Sequence, residues 1–170
     1  MGSGTGAILK EIRERVPGAI GLDREPCLLL TGDPLRSLVG DACSLPLKDR
    51  SLDLAFFHFV LIWIRELESA IREVYRVLKS GGSIALIEPD YSPSSTPYPP
   101  GGARMNLAES IPNLLESAGF RTRYVQVTHL SVDSNPELLA LESKLRGKDT
   151  TPGPNAFPLL MLIAEKDPAR

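Results

Sequence analysis

The stretch from Leu52 to Ile87 limits the possible folds more than any other part of the chain. Leu52 to Phe57 is apolar apart from Asp53 and reads as a buried strand. From Glu66 to Leu78, the residues Leu67, Ala70, Ile71, Val74, Tyr75, Val77 and Leu78 recur at helical spacing, and Gly81-Gly82 ends the helix. Ser83 to Ile87 is the next strand. Strand, helix and strand in this order imply parallel pairing through a right-handed crossover, so the class is α/β.

Upstream the same alternation is shorter. Gly2-Ser3-Gly4-Thr5-Gly6 begins on the second residue, and Ile8, Leu9, Ile12 and Val16 then share one helical face until Pro17-Gly18. Ala19 to Asp23 reads as a buried parallel strand with Asp23 at its C-terminal edge, a short helix is expected from Arg24 to Leu30, and Ser37-Leu38-Val39 is a brief strand before Gly40-Asp41. Open α/β folds bind ligands at the C-terminal ends of their strands, where a glycine turn lets backbone approach a ligand and the following helix offers free N–H groups. Gly2 to Ala7 therefore reads as a nucleotide-binding turn, matching both GxGxG and GxGxxA patterns. Asp23 is placed to accept ribose hydroxyls, or else to cap the next helix. Asp41 is placed to accept an exocyclic adenine amine, or else to bond its own backbone in a turn.

Downstream, residues 92–102 hold four prolines and two glycines and are expected to form a loop. Ser110 can cap a helix carrying Leu114, Leu115 and Ala118 and closed by Gly119, and Arg121 to Leu130 alternates as a strand. Pro136 to Leu145 is expected to be a further helix, Thr151 to Pro154 a link, and Phe157 to Ala164 the final buried strand.

At 170 residues, 42% hydrophobic and 24% charged, the chain is expected to be one domain, residues 1–170. Its 19 basic residues face 21 acidic ones, which argues against a nucleic-acid partner and for a small molecule. Cys27 and Cys43 have no metal-ligand spacing, so no metal is expected and reduced thiols suggest a cytoplasmic setting. No run reaches the roughly 18 apolar residues of a membrane span. The N-terminus has no signal-peptide layout, and Gly6 breaks the myristoylation pattern, so no membrane partner is expected.

Across residues 2–90 the pattern resembles the Rossmann-like class of S-adenosylmethionine-dependent methyltransferases, particularly the small-molecule branch. The resemblance rests on the Gly2 to Gly6 loop, Gly21-Leu22-Asp23, Gly40-Asp41-Ala42 with Leu45-Pro46-Leu47, Ser51-Leu52-Asp53-Leu54, and Tyr75-Arg76-Val77-Leu78-Lys79-Ser80-Gly81-Gly82. His58 to Trp63 and Glu88-Pro89-Asp90-Tyr91 look like an uncharacterised subgroup of it. The resemblance implies a three-layer sandwich with a mostly parallel sheet and an antiparallel C-terminal strand pair. A cofactor-binding half would span residues 1–90 and a substrate-side half 91–170. It further implies that Gly2, Ser3 and Gly4 line the methionine part of S-adenosylmethionine, Asp23 holds the ribose, Asp41 and Ala42 border the adenine, and His58 and Phe59 flank the sulfonium. Asp90 and Tyr91 would face the substrate, and His58, with its near-neutral pKa, is a candidate base.

The chain departs from the family at its start. There the glycine loop follows an apolar strand that ends in an acidic residue and a further glycine, whereas here the loop begins at Gly2. The first, central strand is expected to be missing, through truncation or a misassigned start, leaving a hole or two re-paired edges. Two other readings remain open. One is a nicotinamide-dependent oxidoreductase, for which Gly2, Gly4, Ala7 and Asp23 suffice. The other is a non-catalytic interaction module or homodimer built on exposed sheet edges.

Overall fold

Apolar periodicity becomes helix where a helical face meets a sheet, and the described residues of the computed structural model, 1–26, 37–91, 106–131 and 156–168, show this clearly in the middle of the chain. Helix α1 (Ala7–Arg15) is followed by strand β1 (Gly21–Asp23), strand β2 (Ser37–Val39) and strand β3 (Leu52–His58). After a single 3-10 turn at Leu61–Trp63 come helix α2 (Leu67–Val77), strand β4 (Leu78–Pro89), helix α3 (Leu107–Ser117), and strands β5 (Phe120–Ser131) and β6 (Ala156–Lys166). The expected loop 92–102, helix 136–145 and link 151–154 lie outside the described residues, as do most of the expected helix 24–30 and Cys27.

Helix α2 realises its periodicity directly: Leu67, Ala70, Ile71, Val74 and Val77 are all buried. It ends earlier than expected. Leu78 is already extended, and Lys79 to Gly82 belong to β4 as an irregularity, since the register with β3 runs Leu52 to Leu78 and then Leu54 to Ser83. Gly82 is needed there for close packing, because a Cβ on it would lie 3.0 Å from the Lys79 carbonyl oxygen and 3.2 Å from that of Asp53, while Gly81 adopts φ +72. Helix α3 begins at Leu107, so Ser110 is not its cap but an internal residue whose hydroxyl donates to the Asn106 carbonyl. The chain does leave α3 through Gly119, at φ +97.

The strands form an α/β fold with parallel pairs followed by an antiparallel C-terminal pair, as expected. Strands β3, β4, β6 and β5 lie side by side in that order, with β3 and β4 parallel and β6 antiparallel to both β4 and β5. Strands β1 and β2 form a separate parallel pair. Among the described residues the sheet is thus in two pieces, with a cavity of about 500 Å³ between them lined by α1, residues 18–22 leading into β1, and the β3 edge from Leu52 to Phe56 with His58. The continuous core sits on the larger piece, where Phe57, Leu61, Ile71, Leu78, Ile84, Leu86, Ile111, Leu115, Leu160 and Leu162 are almost wholly excluded from water. Each such side chain contributes roughly 1.5–3 kcal/mol by burial.

Candidate active site

The C-terminal ends of β1 and β3 are tied together by the first three residues. The Met1 amino nitrogen donates to the Phe56 carbonyl at 2.7 Å, and the Ser3 amide donates to the Leu22 carbonyl at 3.0 Å. Gly2 lies between them at φ +59, where a Cβ would fall 2.1 Å from a methyl of Val60, so only glycine fits. Gly4 is different. It also has positive φ, +51, but a Cβ there would meet nothing within 4 Å, so its backbone borders open space.

Asp23 joins the glycine loop to the sheet. Its Oδ2 accepts the Gly4 amide at 2.7 Å and its Oδ1 accepts the Glu25 amide at 3.0 Å, with the residue 9% exposed. Of the two readings of Asp23, the local one is seen in the Glu25 bond, which holds the turn after its own strand, and the same carboxylate also braces the glycine loop. Each oxygen keeps a second lone pair for a ligand hydroxyl.

Asp41 is exposed, and its Oδ1 accepts the Cys43 amide at 2.8 Å, the self-bonded turn that was the alternative reading. Ala42, next to it, is half-buried and packs against the core. The loop that follows is held by two residues to which the sequence assigned no role. Glu73 accepts the Leu45 amide at 2.8 Å, while Arg76 donates to the carbonyls of Leu45 and Leu47, to Asp49 at 2.7 Å, and to Glu73 itself at 2.7 Å. The hydrogen bonds to Glu73 and Asp49 raise the already high pKa of the Arg76 guanidinium, and its bond to Glu73 holds that carboxyl below its ordinary range. Glu73 and Arg76 are thus a clamp on residues 45–49, the loop that follows Asp41 and Ala42.

His58 ends β3 and lines the cavity, half-buried, its ring stacked on Phe59 with centroids 4.4 Å apart and planes 3° from parallel. Burial lowers its pKa and favours the neutral imidazole, the form that accepts a proton. Phe59 adopts φ +58, unusual for a bulky residue, while its amide donates to the Ile87 carbonyl at 3.0 Å. The turn beyond is fixed by Glu88, another residue without a role from sequence. Fully buried at the end of β4, Glu88 accepts the amides of Val60 at 2.9 Å and Leu61 at 3.1 Å on one oxygen, and burial pushes its pKa up to about 7. A glutamate closing an apolar strand was the available signal.

Asp90 and Tyr91, expected to face the substrate, are both engaged in the fold: Asp90 is 8% exposed and its Oδ1 accepts the Ala108 amide at 3.0 Å, capping α3 from outside that helix. Tyr91 is 3% exposed within the hydrophobic core, and its carbonyl accepts the Asn106 amide. The two residues dock α3 on the end of β4. Among the described residues no helix is long and apolar enough to cross a membrane, and no three His, Cys, Asp or Glu side chains gather as a metal site.

Comparison with known proteins is consistent with this arrangement. The family model described as "Methyltransferase domain" matches residues 1–86. A malonyl-[acyl-carrier protein] O-methyltransferase of Dechloromonas aromatica is 39% identical over 88 residues, covering 50% of this chain and 33% of that protein. A demethylmenaquinone methyltransferase of Thermus thermophilus is 33% identical over 113 residues, 61% of this chain and 48% of that protein. The chain therefore spans between about a third and a half of these curated relatives. Among solved structures, a SAM-dependent methyltransferase from Methanosarcina mazei superposes with a TM-score of 0.74 at 20% identity, over 98% of this chain and 90% of that one. The [4+2]-cyclase SpnF superposes at 0.71 with 23% identity, over 98% of this chain and 72% of its own. Shared fold at such identity leaves the reaction open, but the match over residues 1–86 covers half of the sequence and carries the glycine loop, Asp23 and the α2 clamp: the chain belongs to the methyltransferase domain family.

Proposed function

We propose that the chain binds S-adenosylmethionine across the C-terminal ends of β1, β2 and β3 and serves methyl transfer to a small-molecule acceptor. The observation that carries this reading is the Gly4 amide bonded at 2.7 Å to the Asp23 carboxylate, which sets a glycine turn and an acidic strand end side by side. The residues fit the cofactor in kind: open space borders the Gly4 backbone, and Asp23 has lone pairs for hydroxyls. Gly2, Ser3 and Gly4 would hold the methionine part, Asp23 the ribose, Asp41 and Ala42 the adenine, and His58 with Phe59 the sulfonium end.

When bound, the cofactor supplies a methyl group on a positively charged sulfur, an already activated donor. The protein then has to align the acceptor and keep water away. The stacked His58 and Phe59 rings offer an apolar wall for this, and the neutral His58 imidazole is a proton acceptor for an acceptor hydroxyl or amine. Malonyl-[acyl-carrier protein] and demethylmenaquinone, the acceptors in the relatives' names, differ chemically, so they support the reaction class more than any one acceptor.

Calorimetric titration with S-adenosylmethionine tests the proposal. Saturable heat is expected, with affinity reduced about tenfold or more in Asp23→Asn, because a hydrogen bond to a charged group is worth roughly 1.5–3 kcal/mol. Absence of heat at millimolar cofactor would sink it, and quenching of NADH fluorescence in its place would favour the oxidoreductase reading. The cavity between β1 and β3 favours a second reading, a non-catalytic interaction module or homodimer. Light scattering that shows only monomer would remove the dimer.

A further inference from the structure

We infer that Glu88 is the positioning residue of the His58–Phe59 wall: one of its carboxyl oxygens holds the turn after β3 in the shape that lays the two rings face to face and sets them against the glycine loop, and cofactor affinity depends on that hold. The inference rests on the reading of this wall as part of the S-adenosylmethionine site.

The first observation is how the chain leaves β3. Three consecutive amides are taken by two neighbouring residues at the end of β4: that of Phe59 by the Ile87 carbonyl at 3.0 Å, and those of Val60 and Leu61 by Oε1 of Glu88 at 2.9 and 3.1 Å. The opening amides of the 3-10 turn at Leu61–Trp63 have no partner within the turn itself, so Glu88 supplies their acceptor from another strand.

The second is strain. Phe59 adopts φ +58, a conformation that is costly for a bulky side chain and persists only where the surroundings impose it. The pairing of His58 with Ile87 fixes the residue before it, and the two bonds to Glu88 fix the residues after it. Without the second hold, Phe59 is free to return to an ordinary conformation, which turns its ring away from the His58 imidazole on which it now stacks at 4.4 Å.

The third is the reach of the turn. The methyls of Val60 occupy the place of a Cβ on Gly2, so the residue whose amide Glu88 holds also presses on the glycine loop. One oxygen thus bears on both sides of the site. The position is not explained by packing alone, since Glu88 pairs across the sheet with the fully buried Leu160 and burying a carboxyl beside it is costly. Its Oε2 is buried without a hydrogen-bond partner and burial pushes its pKa up to about 7, so the group that serves here is an acceptor oxygen rather than a charge. Glutamine offers the same oxygen.

The experiment reads the wall itself. All proteins carry His129→Gln, which removes the exposed second imidazole and leaves His58 as the only one. The ring current of Phe59 displaces the His58 proton resonances, and Phe59→Ala marks their unstacked position. Glu88→Gln is expected to keep the displaced resonances and to bind S-adenosylmethionine within about threefold of the parent. Glu88→Leu, and Glu88→Asp with its shorter side chain, should move the resonances toward the Phe59→Ala position and weaken binding about tenfold or more, while the amides of α2 keep their exchange protection. Resonances unmoved in both disruptive variants, moved resonances with unchanged affinity, a Glu88→Gln protein that behaves like Glu88→Leu, or loss of α2 protection in both disruptive variants would each overturn the inference. Moved resonances with no cofactor heat from any protein, the parent included, would uphold Glu88 as the holder of the wall and overturn the cofactor reading instead.

Discussion

Helices α1 and α2 both carry an apolar stripe at helical spacing, yet α2 buries five residues and α1 buries none. The difference lies in what each stripe meets. Helix α2 and its neighbours face a sheet of four adjacent strands, whose inward residues Ile84, Leu86, Leu160 and Leu162 are at most 2% exposed. Helix α1 faces the gap between β1 and β3. Amphipathicity makes a helix able to pack, but the stabilisation comes only with a partner surface.

The largest expected effect tests this contrast directly. Ile71→Ala in α2 removes a fully buried side chain and should cost about 2–5 kcal/mol in urea unfolding. Ile8→Ala in α1 removes a side chain that is 42% exposed and should cost less than about 0.5 kcal/mol. Equal losses would break the comparison.

Next in size is the pH dependence that Glu88 lends to the four-stranded piece. Its folded carboxyl has a pKa near 7 against an ordinary value of 4.5, with desolvation the main cause and the Val60 and Leu61 amides and the Met1 amine pulling the other way. The folded state binds this proton more tightly than the unfolded state does. Its contribution is therefore fully present below about pH 4.5 and is lost as pH rises through about 7, amounting to roughly 3 kcal/mol at most. Its other oxygen is buried without a hydrogen-bond partner, which suits a protonated carboxyl. Glu88→Gln keeps an acceptor for the two amides and should flatten the stability profile between those pH values. Parallel urea midpoints for the two proteins at pH 5 and pH 7.5 decide the matter; an unchanged slope would mean that Glu88 does not titrate there.

What could be read in advance follows the same division. Strand β3, helix α2 and strand β4 announce themselves because their side chains meet their partners within about 40 residues of chain, so the periodicity in sequence is the periodicity of packing. The family pattern was legible from motifs local to residues 2–82, and the antiparallel C-terminal pair from the alternation within each strand, although β6 meets β4 about 80 residues away. The Asp23 carboxylate at a strand end was visible, though its double engagement with Gly4 and Glu25 was not. Glu73, Arg76 and Glu88 were missed as positioning residues because their partners are backbone groups 27 to 31 residues away, and backbone groups carry no sequence signature. Ser110 was mistaken for a cap because the true cap of α3 comes from Asp90, 18 residues before Ala108.

That cap gives the third prediction. Asp90→Ala removes the acceptor for the Ala108 amide at the first turn of α3, and losing a cap of this kind costs about 1 kcal/mol. The expected outcome is a modest fall in stability with S-adenosylmethionine binding unchanged. Weakened cofactor binding without loss of stability would return Asp90 to the ligand side, where its place in sequence first put it.

The smallest effect belongs to the Arg76 clamp, and it separates local order from global stability. Arg76 spreads one guanidinium over the Leu45 and Leu47 carbonyls, Asp49 and Glu73, a fan of donors that a lysine ammonium cannot reproduce. Arg76 is half-buried on the loop side of α2, and the apolar face of that helix is formed by other residues, so Arg76→Lys should leave the melting temperature within about 2 °C. Exchange at the Leu45 amide, held by Glu73, should nevertheless accelerate, because the carboxylate loses the partner that orients it. Acceleration confined to residues 41–49 would show that the well-packed piece of the molecule lends its order to the loop after β2 through this one side chain. Acceleration reaching β1 and α1 would show instead that the two pieces are coupled across the cavity, which would weaken the contrast from which these experiments start.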